Sequence, residues 1–182
     1  MQVTELEIKG LKLVKLDVFG DKRGFFVERF NHEKFKAMGL PFDFVQDNHS
    51  RSAAGVLRGL HYQTDPAQGK LVGVACGRIW DVVVDIRRAS PTFGKNYGVE
   101  LSDENGLLLW VPAGFAHGFC VLGDAPADVF YKVDSLYNPR SEGGIHWADP
   151  DLAVAWPIKN PTVSARDKEL SAFSVYRAKS VF

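Results

Sequence analysis

Gly55 to Gln63, GVLRGLHYQ, places a guanidinium, Arg58, and an imidazole, His61, three residues apart in an apolar run punctuated by glycine. An imidazole exchanges protons near neutrality, and a guanidinium matches the oxygens of a phosphate. In a strand, residues two apart share a face, so Arg58 and Leu60 point one way and Leu57, Gly59 and His61 the other. The glycines permit a bulge that turns either side chain into one cavity. A single core-facing histidine is more often a hydrogen-bonded structural residue than a catalyst. The segment alone therefore assigns no chemistry.

A second imidazole changes the balance. VPAGFAHGF, residues 111–119, contains Pro-x-Gly-x-x-His ending at His117. This resembles the second motif of the cupin superfamily, in which Pro and Gly make a tight turn and the His points into a β-barrel. Many cupins add a His-x-His-x(3,4)-Glu motif upstream and bind a metal. Here the upstream site reads His61-Tyr62-Gln63, with Asp65 beyond it. A first-row metal wants three or four converging ligands, and only two such histidines are in place, so no metal site is expected.

Interior imidazoles need hydrogen-bond partners, and carboxylates suit them. Asp81 and Asp85 in WDVVVDI and Asp167 in SARDK are the candidates. Asp81 and Asp85 share a strand face and suit a structural role, satisfying backbone or Arg87. Asp167 opens a helix and also suits a first-turn acid stabilised by the helix dipole. The residues by themselves do not choose among them.

The elements that must hold these groups are mostly strands. LKLVKLDV (11–18) alternates. DKRGFFVERF is a turn at Asp21 to Gly24 and then a short strand. Asn31 caps a helix running through Lys36, ended by Gly39 and Pro41. FDFVQDNHS, KLVGVACG, RIWDVVVDI beyond a turn at Gly77, GVEL, LLLWVP, HGFCVL and DVFYKV then read as strands separated by Gly/Pro turns. After Tyr137 the pattern weakens into loop, with a short helix near Ala165 to Ala172 capped by Ser164. Close, regular strands predict a sandwich or barrel, not βαβ units.

The 182 residues suffice for one domain with a sizeable core, and no repeat or linker divides them. Hydrophobic content is 46% and charged content 24%, ordinary for a soluble protein. Lys plus Arg and Asp plus Glu are 22 each. The zero net charge argues against nucleic acid or an anionic membrane as main partner. Cys76 and Cys120 read as small buried hydrophobes. No apolar run is long enough to span a membrane, and the N-terminus lacks a leader pattern, which predicts a cytoplasmic location.

Taken together, DKRGFFVERF, QDNHSRS, GVLRGLHYQ, QGKLVGV, DVVVDIRRASPTFG, WVPAGFAHGF, YKVDSLYNPRSEGGIHWADP and SARDK, in this order, resemble the dTDP-4-dehydrorhamnose 3,5-epimerase family from about Gly10 to about Ser171. The resemblance implies an all-β cupin jelly roll with a few short helices, spanning residues 1–182 as one domain. It also implies a homodimer, a dTDP-4-keto-6-deoxyhexose substrate and no cofactor, in an enzyme of dTDP-L-rhamnose synthesis. His61 stands at the family's general base, Asp167 at its paired carboxylate, Tyr131 at its general acid and Lys70 at the lysine near the ketone. Arg23, Glu28, Gln46, Asn48, Arg58, His117 and Glu142 stand at positions contacting the sugar nucleotide, and Tyr137 at an aromatic stacked on thymine. Phe25 and Phe26 are cavity candidates. Arg166 replaces an expected Lys beside the paired Asp: it keeps the charge but not the geometry.

That chemistry needs these residue types. His61 removes a proton next to a ketone, with Asp167 fixing its tautomer. Lys70 and His117 place a donor or charge on the developing oxyanion, where losing one donor costs ~3 kcal/mol. Inversion requires a new proton from the other face, and Tyr131 is a suitable phenol. The alternatives are an epimerase acting at one carbon, or on another 4-keto sugar nucleotide, and, from other classes, a non-catalytic sugar-nucleotide-binding cupin or a metal oxygenase.

Overall fold

The computed structural model describes residues 1–182. The chain forms β1 (Gln2–Glu5), β2 (Lys12–Lys15), β3 (Val18–Asp21), β4 (Gly24–Val27), α1 (His32–Ala37), β5 (Gln46–Ser52), β6 (Val56–Gln63) and β7 (Lys70–Cys76). There follow β8 (Arg78–Asp85), β9 (Asn96–Ser102), β10 (Leu107–Val111), β11 (Phe115–Val121), β12 (Ala127–Val133), β13 (Glu142–Gly144), β14 (Thr162–Val163), α2 (Ala165–Lys168) and α3 (Phe173–Ala178). One sheet has the order β1-β2-β10-β7-β12-β5, the other β13-β6-β11-β8-β9, and β14 lies beside β6. The turn-punctuated strands predicted a sandwich or barrel, and the two sheets make the cupin jelly roll that the family resemblance implied.

Alternation sorts the side chains into layers. Val72, Leu109 and Val129 of the first sheet meet Val83, Phe115 and Phe119 of the second. The apolar run at β8 is continuous because both its faces are covered: Val82 and Val84 turn outward under Ile145, Leu152, Phe173 and Tyr176. The first sheet's outer face, with Val14, Leu71 and Trp110, is covered by Phe35 of α1. Phe35 is buried, and Phe35→Ala removes ~3–5 kcal/mol, transfer and cavity together.

Some boundaries differ from the sequence reading. Asn31 does cap α1, accepting the Lys34 N–H at 3.1 Å. FDFVQDNHS is strand only from Gln46, and LKLVKLDV splits between β2 and a separate hairpin, β3–β4. α2 stops at Lys168, short of the expected Ala172, and the chain helps cover the second sheet with a further helix, α3.

The alternation expected at β6 is broken at the decisive place. His117 pairs with His61 and Phe119 with Arg58, so two steps on β11 match three on β6. The extra residue is absorbed at Gly59, whose φ is +111, a conformation that glycine adopts without cost. A Cβ there would lie 2.7 Å from Gly118 Cα and from His117 O. The bulge puts Arg58 and His61 on one cavity instead of opposite faces.

Candidate active site

The cavity between the sheets has a volume of about 470 Å³, ample for a sugar and part of its carrier. His61, from β6, and Tyr131, from β12, reach it from opposing sheets. His61 Nε2 lies 2.6 Å from Asp167 Oδ1. Asp167 is fixed in turn: its N–H donates to Oγ of the cap Ser164 at 3.0 Å, and its Oδ2 accepts the Gly59 N–H at 3.3 Å. Burial alone would raise the Asp167 carboxyl, but His61 and these hydrogen bonds outweigh it and hold the group below its usual value. An ionised Asp167 accepts from Nε2–H, and Nδ1 is then left as the basic nitrogen.

His117 repeats the arrangement one strand further in. Its Nε2 lies 2.8 Å and 3.0 Å from the two oxygens of Asp81, which is fully buried. Asp81 thus differs from the structural role the sequence suggested. Asp85 keeps that role. It accepts from Arg87 Nε at 2.9 Å and from Ser90 and Thr92 at 2.6 Å each. Against the cost of burial, these bonds pull its carboxyl down to about 2.

Lys70 begins β7 and lines the same cavity. Burial pushes its ammonium down, against the pull of Glu142 and Asp81. Burial, and then the charge of Glu142, raises the Tyr131 phenol, so it is protonated and able to donate at neutral pH. No three His, Cys, Asp or Glu side chains converge as a metal-ligand set.

Gln46, Asn48, Tyr137 and Glu142 are not among the cavity's lining residues but form a polar set linked to one that is, Arg166. Glu142 Oε2 accepts from the Tyr137 hydroxyl and from Arg166, each at 2.7 Å. Burial opposes its ionisation, but these partners hold it below the usual glutamate value. The Arg at position 166 therefore has a defined carboxylate partner. Gln46 bonds Asn48 at 2.8 Å and accepts the Tyr137 N–H at 3.1 Å. Arg58 Nε donates to Ser52 Oγ at 2.9 Å.

Three further candidates stand apart from both the cavity and this polar set. Arg23 pairs with Asp21 at 2.5 Å, Glu28 with Lys34 at 2.7 Å, and Phe25 is 59% exposed on the β3–β4 hairpin beside Phe26. None of them lines this chain's cavity. Conversely, Ser50, Phe119 and Val129 line it and were not singled out. Each lies two positions from a residue that was (Asn48, His117, Tyr131), so period-two spacing held the signal.

The family model described as dTDP-4-dehydrorhamnose 3,5-epimerase matches residues 5–174. A dTDP-4-dehydrorhamnose 3,5-epimerase of Shigella flexneri is 53% identical, over 92% of this chain and 93% of the relative. The crystal structure of a dTDP-6-deoxy-D-glucose-3,5-epimerase from Legionella pneumophila, in complex with dTDP-4-keto-L-rhamnose, superposes with a TM-score of 0.92. It is 46% identical, covering 98% of this chain and 95% of that one. A 3'-monoepimerase from Streptomyces bikiniensis, in complex with dTDP-quinovose, is 33% identical with a TM-score of 0.89, covering 97% and 90%.

Proposed function

The chain belongs to the dTDP-4-dehydrorhamnose 3,5-epimerase family, and on that footing we propose that it converts dTDP-4-dehydro-6-deoxy-D-glucose to dTDP-4-dehydro-L-rhamnose. The observation that carries the reading is the placement of a carboxylate-held imidazole, His61, and a protonated phenol, Tyr131, on opposing walls of one cavity. His61 Nδ1 takes the proton from a carbon beside the C4 ketone, and the electron pair moves onto the C4 oxygen. Lys70 and His117 meet that oxygen. Tyr131 returns a proton from the other face, which inverts the carbon. The same cycle serves C3 and C5, because both flank one ketone.

Arg58 and Arg166 suit the diphosphate and Tyr137 the thymine face. The protein acts as a homodimer in this reading. Support comes from Phe19, Phe25 and Phe26, which are 65%, 59% and 68% exposed on one hairpin, more apolar surface than a lone chain leaves open without use. A second copy that covers them also brings Arg23 and Glu28 to a site they do not reach within their own chain. No helix is long and apolar enough to cross a membrane, and we place the enzyme in the cytoplasm with its nucleotide-sugar substrate.

Incubation with dTDP-4-keto-6-deoxyglucose in deuterated water tests the activity. Label at both C3 and C5 supports the double epimerase. Label at one carbon selects the single-carbon reading, which the likeness to the Streptomyces bikiniensis 3'-monoepimerase keeps in view. No label removes the catalytic assignment.

A further inference from the structure

Tyr137 takes the nucleobase in the reading above, yet core packing does not hold it. Its ring is 51% exposed and the neighbouring Leu136 63%. Both lie in residues 134–141, which join β12 to β13 without helix or strand. A loose aromatic must be ordered at each binding event, and that ordering is subtracted from affinity. Hydrogen bonds do the holding here. The Tyr137 hydroxyl donates to Glu142, and its N–H to Gln46 Oε1. The residues on either side of it both bond one side chain, Gln63. Gln63 Nε2 donates to the Leu136 carbonyl at 3.0 Å, and Gln63 Oε1 accepts the Asn138 N–H at 2.9 Å. The other Nε2 proton goes to the Pro66 carbonyl at 2.8 Å.

Gln63 is 4% exposed and does not line the cavity, and the reaction gives it no role. Its place joins the parts that do have one. It ends β6, two residues beyond His61, and pairs across the sheet with Glu142, the acceptor of the Tyr137 hydroxyl. Pro66 lies in the loop that runs from β6 to Lys70 at the start of β7. Other bonds stitch that loop to residues 134–141. Asn138 Nδ2 and Ser141 Oγ donate to the Asp65 carbonyl at 2.7 and 2.6 Å, and Ser135 Oγ to the Ala67 carbonyl at 2.9 Å. Gln63 is the buried side chain of this set, and a hydrogen bond lost where water cannot replace it is the costliest kind.

We propose that Gln63 is a positioning residue for the nucleotide end of the substrate. Its buried amide clamps the backbone on both sides of Tyr137 to the strand that bears His61, so the base-stacking ring and the proton-abstracting imidazole keep a fixed separation before substrate arrives. The assignment rests on the reading of Tyr137 as the thymine contact. The residue type follows from the partners. Two carbonyls need protons and one N–H needs an acceptor, and a primary amide supplies both from one planar group. A carboxylate would face the carbonyls of Leu136 and Pro66 with no proton to give. A methionine of the same length would leave all three backbone groups unpaired.

Calorimetric titration with dTDP, and initial rates with dTDP-4-keto-6-deoxyglucose, test this on the full chain. Gln63→Met is expected to weaken dTDP binding about tenfold, within the roughly five- to hundredfold that one base–aromatic stack is worth. KM should rise by a similar factor, with kcat changed by roughly threefold at most. A merely structural role would reduce the folded fraction, lowering apparent kcat and leaving KM alone; that result overturns the proposal. Tyr137→Ala supplies the second axis. If Gln63 acts through Tyr137, its replacement costs little once the ring is gone, so the two losses of dTDP affinity do not multiply in the double variant. Losses that multiply overturn the proposal. The wild type decides alone if Gln63→Met fails to fold: the Asn138 amide proton should exchange slowly in deuterated water without ligand, and exchange at the rate of an open loop overturns the clamp. Equal dTDP affinity in Tyr137→Ala and the wild type strikes the thymine reading of Tyr137, and the role of Gln63 with it. That failure is told apart because the Asn138 proton then stays protected.

Discussion

His61 and His117 are direct partners across the β6–β11 pairing, and each turns Nε2 to a carboxylate on its far side. Asp167 approaches His61 from α2, beyond the sheet edge, and Asp81 approaches His117 from β8, deeper in the sheet. Two like residues thus receive unlike positions. His61 stands on the strand nearer the sheet edge, and His117 one strand deeper.

His61→Asn is expected to lower exchange at C3 and C5 by ~10²–10⁴-fold, the usual contribution of a positioned base. Asp167→Asn keeps the shape but replaces the anion that selects the Nε2–H tautomer. It should fall within the same range while leaving nucleotide binding nearly unchanged. Deuterium uptake followed by NMR, alongside dTDP titration, separates the two effects. Undiminished uptake in His61→Asn removes the residue from its role.

Asp81→Asn acts differently. Its hydrogen bonds are buried, so weakening them costs ~1–3 kcal/mol of stability, read as a lower urea midpoint. Both carbanions share one C4 oxygen, so impaired orientation of His117 should slow labelling at C3 and C5 by the same factor. A change in the C3:C5 ratio would contradict an action through that oxygen.

Tyr131→Phe removes the donor on the opposite face but leaves His61 and Asp167 in place. Deuterium should still enter, because His61 can return a solvent-derived proton to the face it came from. Inversion should fall further than exchange does. The measurement is the configuration of labelled sugar by proton coupling constants. Inversion and exchange falling together would argue that the phenol serves binding alone.

The sequence made the strands and the chemistry readable to different depths. Ser164 announced a capped helix start by a local rule, whereas the inward imidazole of His117 was legible through the likeness of Pro112, Gly114 and His117 to a cupin motif. The common cavity of Arg58 and His61 was not readable from alternation, because it depends on a bulge at Gly59 set by close packing against Gly118 on the next strand. Asp81 and Asp85 are four apart on one face and look equivalent. Their partners, His117 on a neighbouring strand and Ser90 and Thr92 in a following turn, separate them only in three dimensions. α3 was missed because its buried face, Phe173 and Tyr176, spans only one turn.

Acid stability tests the Asp85 turn. Its folded value of about 2 lies below the ordinary 3.8, so its contribution is fully present above the unfolded value and is lost as pH falls through the folded one. The difference corresponds to about 2 kcal/mol. Asp85→Asn should lower stability by about that much at pH 6 and flatten its decline between pH ~4 and ~2. Asp167 and Glu142 are also held down, so the comparison is between wild type and variant in urea unfolding at each pH. Parallel curves would mean that the Arg87, Ser90 and Thr92 contacts do not hold the carboxylate in solution.

Mixing two defective chains tests whether the hairpin serves a neighbouring copy. Arg23→Ala should weaken nucleotide-sugar binding ~10–100-fold through a lost charge-assisted contact, and His61→Ala should abolish exchange. If Arg23 completes the partner's site, a mixed dimer has one site with both defects and one with neither. Random reassortment of equal amounts should then restore about a quarter of wild-type activity at low substrate concentration, since half the dimers are mixed and half of their sites are intact. If Arg23 served its own chain's cavity, every site in the mixture would carry one defect, and activity would stay at the mean of the two variants. Because both variants are scored in the same tube after the same unfolding and refolding, recovery above that mean can arise only from sites built by two chains.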